Sequence, residues 1–311
     1  MNKPHWLALI ALFAGASAVA ASPLFVRWSE TGPTPAAFWR AGLALPALWL
    51  WALADRTHAA IAAKVESAGV LRKSIALAGF FFAGDLIFWH GSIMHTSIAN
   101  ATFLATCAPL FVVPAAWLIL KVRTGALFLA GMLCALIGVA LLVGPNLHAR
   151  TSALTGDLMG LITAMFFASY LIAVSRARAH LGTARIMAWS TTVTALCILP
   201  VALASGEQFF PSSAHGWWVL IGLALLPQVV GQSLIAYALA HLPPTFSSVG
   251  LLLEPVVAVL LAWLLLQEHM NGLQLAGAGA VLAGIFLAHR GSRGQPAAAA
   301  RRRHGRASTG G

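Results

Sequence analysis

The chain is built from long apolar runs separated by short polar breaks. A run of about 20 apolar residues has the length of a helix that crosses the hydrocarbon core of a bilayer. Ten such runs are present, at about residues 6–26, 35–54, 74–94, 97–120, 125–144, 157–175, 186–204, 216–239, 244–266 and 272–289. The pattern predicts an all-α integral membrane protein with ten transmembrane helices.

The second half of the chain repeats the first. A shift of 146 residues aligns Pro109 with Pro255 and Trp117 with Trp263, and 12 of the 30 positions from 109 to 138 are identical. Prolines and tryptophans in register are uncommon in apolar sequence. We therefore interpret the chain as one unit present twice.

Ten helices divide into five and five. Because five is an odd number, the second unit begins on the opposite side of the membrane, and we predict two inverted five-helix repeats. The repeats are predicted at residues 1–145 and 153–289, and residues 290–311 are predicted to be a disordered basic tail in the cytoplasm.

The first 22 residues also resemble a signal peptide, with Lys3 before an apolar run and small residues at 18–20. The apolar sequence, however, continues past this possible cleavage site to Val26. Cleavage would also remove the counterpart of the run at 157–175. We therefore expect residues 6–26 to form the first transmembrane helix.

Composition and charge support a membrane protein. Of the 311 residues, 59% are hydrophobic and 9% are charged, which is too little polar sequence to cover a soluble globule. The net charge of +11 would suggest nucleic acid in a soluble domain, but 16 of the 19 Lys and Arg lie in the terminal segments and alternate loops. This bias predicts an inner-membrane protein with both termini in the cytoplasm and no nucleic-acid partner.

Small residues recur every four positions in the last predicted helix of each half, at Ala130, Cys134, Gly138, Ala276, Ala280 and Gly284. Small side chains allow helix backbones to approach closely in a membrane, where no hydrophobic effect drives helix association. We expect both stripes to be helix contacts.

Asp85 lies near the middle of the third predicted helix, with Trp89 one turn further along the same face. An unpaired carboxylate is costly inside a bilayer, so it must face protein or water and is often part of a transport site. Asp85 is therefore a candidate substrate or proton site. The alternative is a carboxylate that only hydrogen-bonds to a neighbouring helix.

Two further charges fall within predicted helices. Arg40 lies outward of the centre of the second helix, so its side chain either extends to the interface or acts inside, pairing with Asp85 or holding an anionic group of a solute. Glu254, in the ninth helix, is either a functional group or a structural hydrogen-bonding group. Their counterparts in the other half, Ser190 and Ala108, are uncharged.

Pro109 and Pro255 are predicted to kink the fourth and ninth helices. Proline has no N–H to donate to the carbonyl four residues earlier. The carbonyls of Ala105 and Leu251 are therefore expected to be free acceptors.

Polar side chains on other helices complete the candidate site: Asn100, Thr102, Thr106, Tyr170, Gln228 and Gln232. Each is either an interhelical hydrogen-bonding group or part of a solute cavity, for which Trp89 and Tyr170 would supply walls. The two glutamines are four residues apart and can share one helix face.

Motifs of other protein classes are absent from the sequence. It contains no Walker A, HExxH or GxSxG motif, its three cysteines form no CxxC pair, and its intramembrane acids stand singly. We therefore expect no catalytic site, no metal, no cofactor and no enzymatic activity.

Three segments resemble EamA-type members of the drug/metabolite transporter superfamily: FWRAG at 38–42, TSIANATFLATCAPLFVVPAAWLIL at 96–120 and SSVGLLLEPVVAVLLAWLLLQE at 247–268. The resemblance covers about residues 6–289. It implies two EamA domains, cytoplasmic termini and a central cavity between inverted halves. Arg40 matches the arginine of the family's second helix, and Glu254 with Pro255 its ninth-helix Glu-Pro, whereas the first half has Ala108-Pro109.

We therefore predict a membrane carrier that transports small metabolites or drug-like solutes, most simply an exporter working by alternating access. Asp85 is the first candidate for proton coupling and Glu254 the second, although the solute gradient alone would also drive transport. The alternatives are a membrane receptor or sensor and an intramembrane enzyme. The predicted partners are the solute and the lipid bilayer, with either a monomer or a homodimer as the assembly.

Overall fold

The computed structural model describes residues 3–55, 69–96, 98–121, 123–144, 154–178, 180–266 and 271–292. These residues contain ten helices that are long and apolar enough to cross a membrane. The prediction of ten transmembrane helices is confirmed. The predicted disordered tail, residues 290–311, needs a correction at its start, because residues 290–292 continue the last helix. Residues 293–311 lie outside the described residues.

Five of the ten helices are continuous and five consist of consecutive segments. The continuous helices are α3 (Gly69–His95), α5 (Ala126–Val143), α6 (Leu154–Arg178), α7 (Thr183–Ala204) and α10 (Gly272–Ser292). The segmented helices are α1 (Lys3–Val19 and Ser22–Trp28), α2 (Pro33–Gly42 and Leu45–Ala54), α4 (Ile98–Thr106 and Ala108–Leu120), α8 (Ala214–Leu223, Ala224–Gln232 and Ser233–Ala238) and α9 (Pro244–Gly250 and Leu253–Leu266).

The breaks in α4 and α9 fall just before Pro109 and Pro255, at equivalent places in the two halves. A proline near the start of a helical segment is tolerated because the first N–H groups have no partner within the helix. The carbonyl of Leu251 is not free, in contrast to the expectation from the sequence. It accepts a hydrogen bond from the N–H of Glu254 at 2.9 Å, because the chain tightens into a three-residue turn at the break.

The middle of α8 is a π-helix, Ala224–Gln232, which contains Pro227. Its counterpart in the first half, α3, is a continuous α-helix. Such wide turns are rare and occur often at functional sites. This segment therefore departs from the repeat symmetry.

α5 and α10, the last helices of the two halves, cross at four glycines. A Cβ built on Gly131 would lie 2.7 Å from the carbonyl oxygen of Gly284, and one on Gly138 would lie 2.8 Å from that of Gly277. The 146-residue shift converts the first pair into the second, because Gly131 corresponds to Gly277 and Gly138 to Gly284. The pairing places a two-fold relation between the halves at this crossing and supports their inverted arrangement.

The predicted small-residue stripes need a correction. Gly138 and Gly284 lie in the crossing, and the Cys134 thiol donates to the carbonyl of Ala280 at 3.5 Å. Ala130 and Ala276, however, are exposed. The contact face is rotated by about one residue, because at 100° per residue Gly131 and Gly277 lie nearer its centre.

The two halves meet again around the centre of the bundle. α3 packs against α6, and α8 packs against α1, which is the same contact after exchange of the two halves. α4 packs against α6 and α9 against α1 in the same way. These contacts surround a space between the two repeats, next to α1, α3 and α4 of the first repeat and α6, α8 and α9 of the second.

Glu30, in the connection between α1 and α2, joins the two halves at the end of the bundle opposite the termini. Its Oε2 accepts hydrogen bonds from the N–H groups of Ser212 and Ser213, at 2.8 and 2.9 Å, and its Oε1 accepts one from the Ser213 hydroxyl. Ser213 is the N-cap of α8, and its hydroxyl accepts from the N–H of Gly216. The carboxylate thus binds the positive end of a helix in the other half.

A second carboxylate makes the reverse connection. Oε2 of Glu207, before α8, accepts a hydrogen bond from the N–H of Thr34 in the first turn of α2, at 2.8 Å. The Trp39 indole N–H donates to the carbonyl of Phe209 at 2.8 Å. Each half therefore caps a helix of the other.

We expect Gly284→Leu to lower the midpoint of thermal unfolding by about 2–10 °C, because the added side chain meets backbone atoms of α5 that cannot move away. The measurement is intrinsic fluorescence of the detergent-solubilised protein during heating.

Gly279→Leu is the matched control. A Cβ at Gly279, on the same helix, meets nothing within 4 Å. Its midpoint should stay within about 1 °C of the unmodified chain, since surface substitutions are close to neutral. Equal losses in both variants would contradict the assigned contact.

The Glu30 contact should make stability depend on pH. Hydrogen bonds from Ser213 and then Ser212 lower the pKa of Glu30 below its ordinary value. A lowered pKa in the folded state means that the contribution is present above the unfolded-state pKa and is lost as the pH falls through the folded-state pKa. We expect Glu30→Gln to lower the unfolding midpoint at pH 7 and to differ progressively less from the unmodified chain as the pH falls below about 4.

The control is the comparison of the two proteins at low pH, where Glu30 is protonated and its charge no longer contributes. A difference between the two proteins that is the same at pH 7 and at the lowest pH would show that the carboxylate charge is not involved.

Candidate functional site

A cavity of about 150 Å³ lies between the two halves near the middle of the helices. The first half contributes residues of α1, α2, α3 and α4 to its wall, and the second half contributes residues of α6, α8 and α9. The predicted site residues that line it are Arg40, Asp85, Trp89, Gln232 and Glu254. Most of the remaining wall is apolar.

Arg40 points into the protein and does not extend to the membrane interface. Its residue is only 7% exposed, and its Nε–H donates to Oε1 of Gln228 at 3.0 Å. The first segment of α2 begins with Pro33 and ends at Gly42, two residues beyond the arginine. Arg40 is therefore a buried cation on the cavity wall.

Asp85 lies on the wall contributed by α3, and Trp89 lies one turn further along the same face. Asp85 interacts electrostatically with Arg40. The Trp89 ring packs edge-on against His90, with centroids 4.9 Å apart. The cavity therefore brings together an acid and a base that are 45 residues apart in sequence.

Glu254 also lies on this wall, in the first turn after the break in α9. Its Oε1 is buried and has no hydrogen-bond partner among the described residues. Glu254 interacts electrostatically with both Arg40 and Asp85. The break thus places a second carboxylate in the cavity, with an acceptor available to a ligand.

Tyr170 lies behind the wall and not on it. It is 1% exposed, and its hydroxyl donates to Oε1 of Gln232 at 3.2 Å. The face of α6 that reaches the cavity contains Thr163 and Phe167 instead. Tyr170 therefore contacts the cavity only through Gln232.

Asn100 lies in α4, at a position whose side chain is outside the described part of the structure. Its predicted place in the site stays a prediction.

Thr102 and Thr106, two of the polar positions predicted from the sequence, line the cavity. Three further polar wall residues were not identified from the sequence: Ser22, Thr163 and Ser248. Hydroxyl groups inside helices are hard to assign, because they can bond to their own helix backbone. Thr163 donates to the carbonyl of Met159 at 3.0 Å, and Ser248 to that of Thr245 at 2.8 Å. Ser22 differs, since its buried hydroxyl has no partner among the described residues.

The chemistry of the wall is suited to a small solute with opposite charges. Pockets for drug-sized ligands usually have volumes of about 300–1,000 Å³, and this cavity, at about 150 Å³, is smaller. The guanidinium of Arg40 can bind an anionic group, and the carboxylates of Asp85 and Glu254 can bind a cationic one. In the described parts of the chain, no three His, Cys, Asp or Glu side chains lie close enough together to hold a metal ion.

Two proteins with similar sequences are named as exporters. A Streptantibioticus cattleyicolor protein named "probable terminal-alkyne amino-acid exporter" is 31% identical over 205 residues, which cover 65% of this chain and 67% of that protein. The pseudopaline exporter CntI of Pseudomonas aeruginosa is 23% identical over 209 residues, covering 67% and 72% of the two chains.

The fold is also that of a known crystal structure, with a TM-score of 0.76 and 16% sequence identity over 91% of this chain and 97% of the other. The sequence pattern of the EamA-like transporter family matches residues 5–144 and 154–290. These two matched segments include the helices on both sides of the cavity, and the chain belongs to the EamA-like transporter family.

Proposed function

We propose that this multi-pass membrane transporter exports small zwitterionic metabolites through the central cavity. The observation that supports this most strongly is that one cavity is lined by a cation, Arg40, and by two carboxylic acids, Asp85 and Glu254. Two of the similar proteins are named for amino-acid substrates, the terminal-alkyne amino-acid exporter and an amino-acid metabolite efflux pump of Salmonella typhimurium. Amino acids combine an ammonium and a carboxylate group.

The three charges have distinct roles in this proposal. Arg40 binds the carboxylate of the solute, because a guanidinium offers two parallel N–H donors to a carboxylate. Asp85 and Glu254 bind the ammonium group or take up a proton. Trp89 forms an aromatic wall beside Asp85, and Gln232 adds a polar contact.

Charge balance supports proton coupling. One guanidinium and two ionised carboxylates leave one negative charge in excess, and an uncompensated charge inside a bilayer is costly. A zwitterionic solute carries no net charge and leaves this excess unchanged, whereas a proton on Asp85 would remove it and would compete with the ammonium group of the solute for that carboxylate. Exchange of one for the other would couple export to proton entry, with Asp85 as the first coupling site and Glu254 as the second.

Transport by alternating access would use the repeats as the moving units. We propose that residues 1–145 and 153–289 rock about the crossing of α5 and α10, and that the breaks at Pro109 and Pro255 allow α4 and α9 to bend. The contacts made by Glu30 and Glu207 would close one end of the cavity.

We propose an inner-membrane location with both termini in the cytoplasm, because Lys and Arg are concentrated in the loops on that side. A reporter enzyme that is active only in the cytoplasm should be active at either terminus. Activity of a periplasmic reporter at either end would contradict this orientation.

A carrier is favoured over the two alternatives. A receptor or sensor would not need two inverted repeats around its binding site. Although Asp85 and Glu254 share the cavity, the family match favours transport over an intramembrane enzyme. The family and the named exporters support transport.

The Asp85→Asn substitution tests the proposed coupling. We expect the variant in proteoliposomes to lose at least about 90% of the pH-driven transport of a mixture of ¹⁴C-labelled L-amino acids, because an amide neither titrates nor attracts a cation. The initial rate is measured at several external pH values. The remaining rate should be nearly independent of pH.

Asp157→Asn is the matched control, since Asp157 lies in the first turn of α6 and accepts a hydrogen bond from Thr96, away from the cavity. It should keep the pH profile of the unmodified chain. An unchanged rate and pH profile in Asp85→Asn would remove Asp85 from the mechanism.

A further inference from the structure

We propose that Gln228 and Thr191 are positioning residues that fix the guanidinium of Arg40 for recognition of the anionic group of the solute. This inference rests on the proposed function, because it gives a role to residues that support the proposed carboxylate site. Neither residue lines the cavity.

The hydrogen bond to Gln228 engages one particular donor of Arg40. An arginine side chain has five N–H donors in a planar fork. The Nε–H is directed to Oε1 of Gln228 at 3.0 Å. Because Nε lies on one edge of the plane, this bond fixes the plane's orientation while keeping the terminal donors available to a carboxylate.

Gln228 is itself held in place by the second half of the protein. Its Nε2 donates to the hydroxyl oxygen of Thr191 in α7, at 3.3 Å. Both residues are only 1% exposed. The acceptor of Arg40 is thus oriented by a second hydrogen bond, since an amide whose N–H₂ is bound to Thr191 presents its oxygen in the opposite direction.

An aromatic contact restrains the guanidinium further. Its Cζ lies 5.7 Å from the centre of the Phe82 ring, and Phe82 packs against Tyr170 with centroids 4.8 Å apart. The Tyr170 hydroxyl donates to Gln232. Gln228 and Gln232 both belong to the π-helix of α8, so this segment supports the arginine directly through Gln228 and indirectly through Gln232.

The neutrality of Gln228 explains its use at this position. A carboxylate there would pair with Arg40 and cancel its charge, whereas an amide holds the guanidinium and leaves the charge to attract the solute. The acids that interact electrostatically with Arg40 are instead Asp85 and Glu254, which line the cavity. The positive charge therefore acts on the cavity.

Substitutions at Gln228 and Thr191 should weaken binding of the solute more than its translocation. We expect Gln228→Met to raise the KM for a ¹⁴C-labelled L-amino-acid mixture about 10-fold with little change in kcat, because the binding donors are no longer preoriented. Gln228→Glu should cause a larger loss by neutralising Arg40. Thr191→Val should raise KM by a smaller factor. Thr191→Ser keeps the hydroxyl group and should therefore keep the KM of the unmodified chain.

Matched controls separate this role from general destabilisation. Thr194→Val removes a buried hydroxyl one turn along α7 that bonds to the carbonyls of Gly79 and Ser190. Gln274→Met removes a buried amide that caps the start of α10. Both variants should keep the KM of the unmodified chain.

A spectroscopic measurement on the full chain does not depend on transport. In protein labelled with ¹⁵N-arginine, the Nε–H resonance of Arg40 is identified by its loss in Arg40→Lys. We expect slow exchange with solvent in the unmodified chain, a shifted and faster-exchanging resonance in Gln228→Met, and no change in Gln274→Met.

The two measurements have separate outcomes. An unchanged Arg40 resonance in Gln228→Met would overturn the proposed hydrogen bond, and a changed resonance with an unchanged KM would overturn its role in recognition. Failure of the unmodified chain to transport amino acids would overturn the proposed substrate class, while the resonance would still decide whether Gln228 orients Arg40.

Discussion

Charged groups inside a bilayer need partners from the protein or from water, and this requirement governs the arrangement at the centre of the molecule. Arg40, Asp85 and Glu254 lie in different helices and come together on the wall of one cavity. Each interacts electrostatically with the other two. The cavity lies where the two five-helix repeats meet, so the fold brings these charges together at the site proposed for the solute.

The arrangement of the helices follows the two-fold repeat, whereas the charged residues of the site do not. The glycine crossing of α5 and α10 and the equivalent breaks in α4 and α9 follow the repeat. The site residues do not, since Arg40 corresponds to Ser190 and Glu254 to Ala108. Two-fold symmetry allows the halves to exchange conformations, whereas a solute with two different ends needs an asymmetric site. The π-helix of α8 adds to the asymmetry by carrying the glutamines that support Arg40 and Tyr170.

Much of the fold could be predicted from the sequence because apolar runs, the repeat and intramembrane charges are strong signals. Asp85 and Glu254 stand out since acids are rare in such helices. The hydrogen bond between Arg40 and Gln228 could not be predicted, because it joins two residues that are 188 positions apart in the sequence and depends on a local π-helix. The rotation that places Tyr170 behind the wall, and the turn that occupies the Leu251 carbonyl, likewise depend on packing and local geometry.

Access to the cavity from both sides of the membrane is the central claim of this account. It is tested most directly by a single cysteine at Ser22, on the cavity wall, in a chain whose Cys107, Cys134 and Cys197 have been replaced by alanine. A membrane-impermeant maleimide is applied separately to each face of oriented vesicles. The account predicts labelling from both faces, slowed by added amino acids. Labelling from one face alone would contradict alternating access.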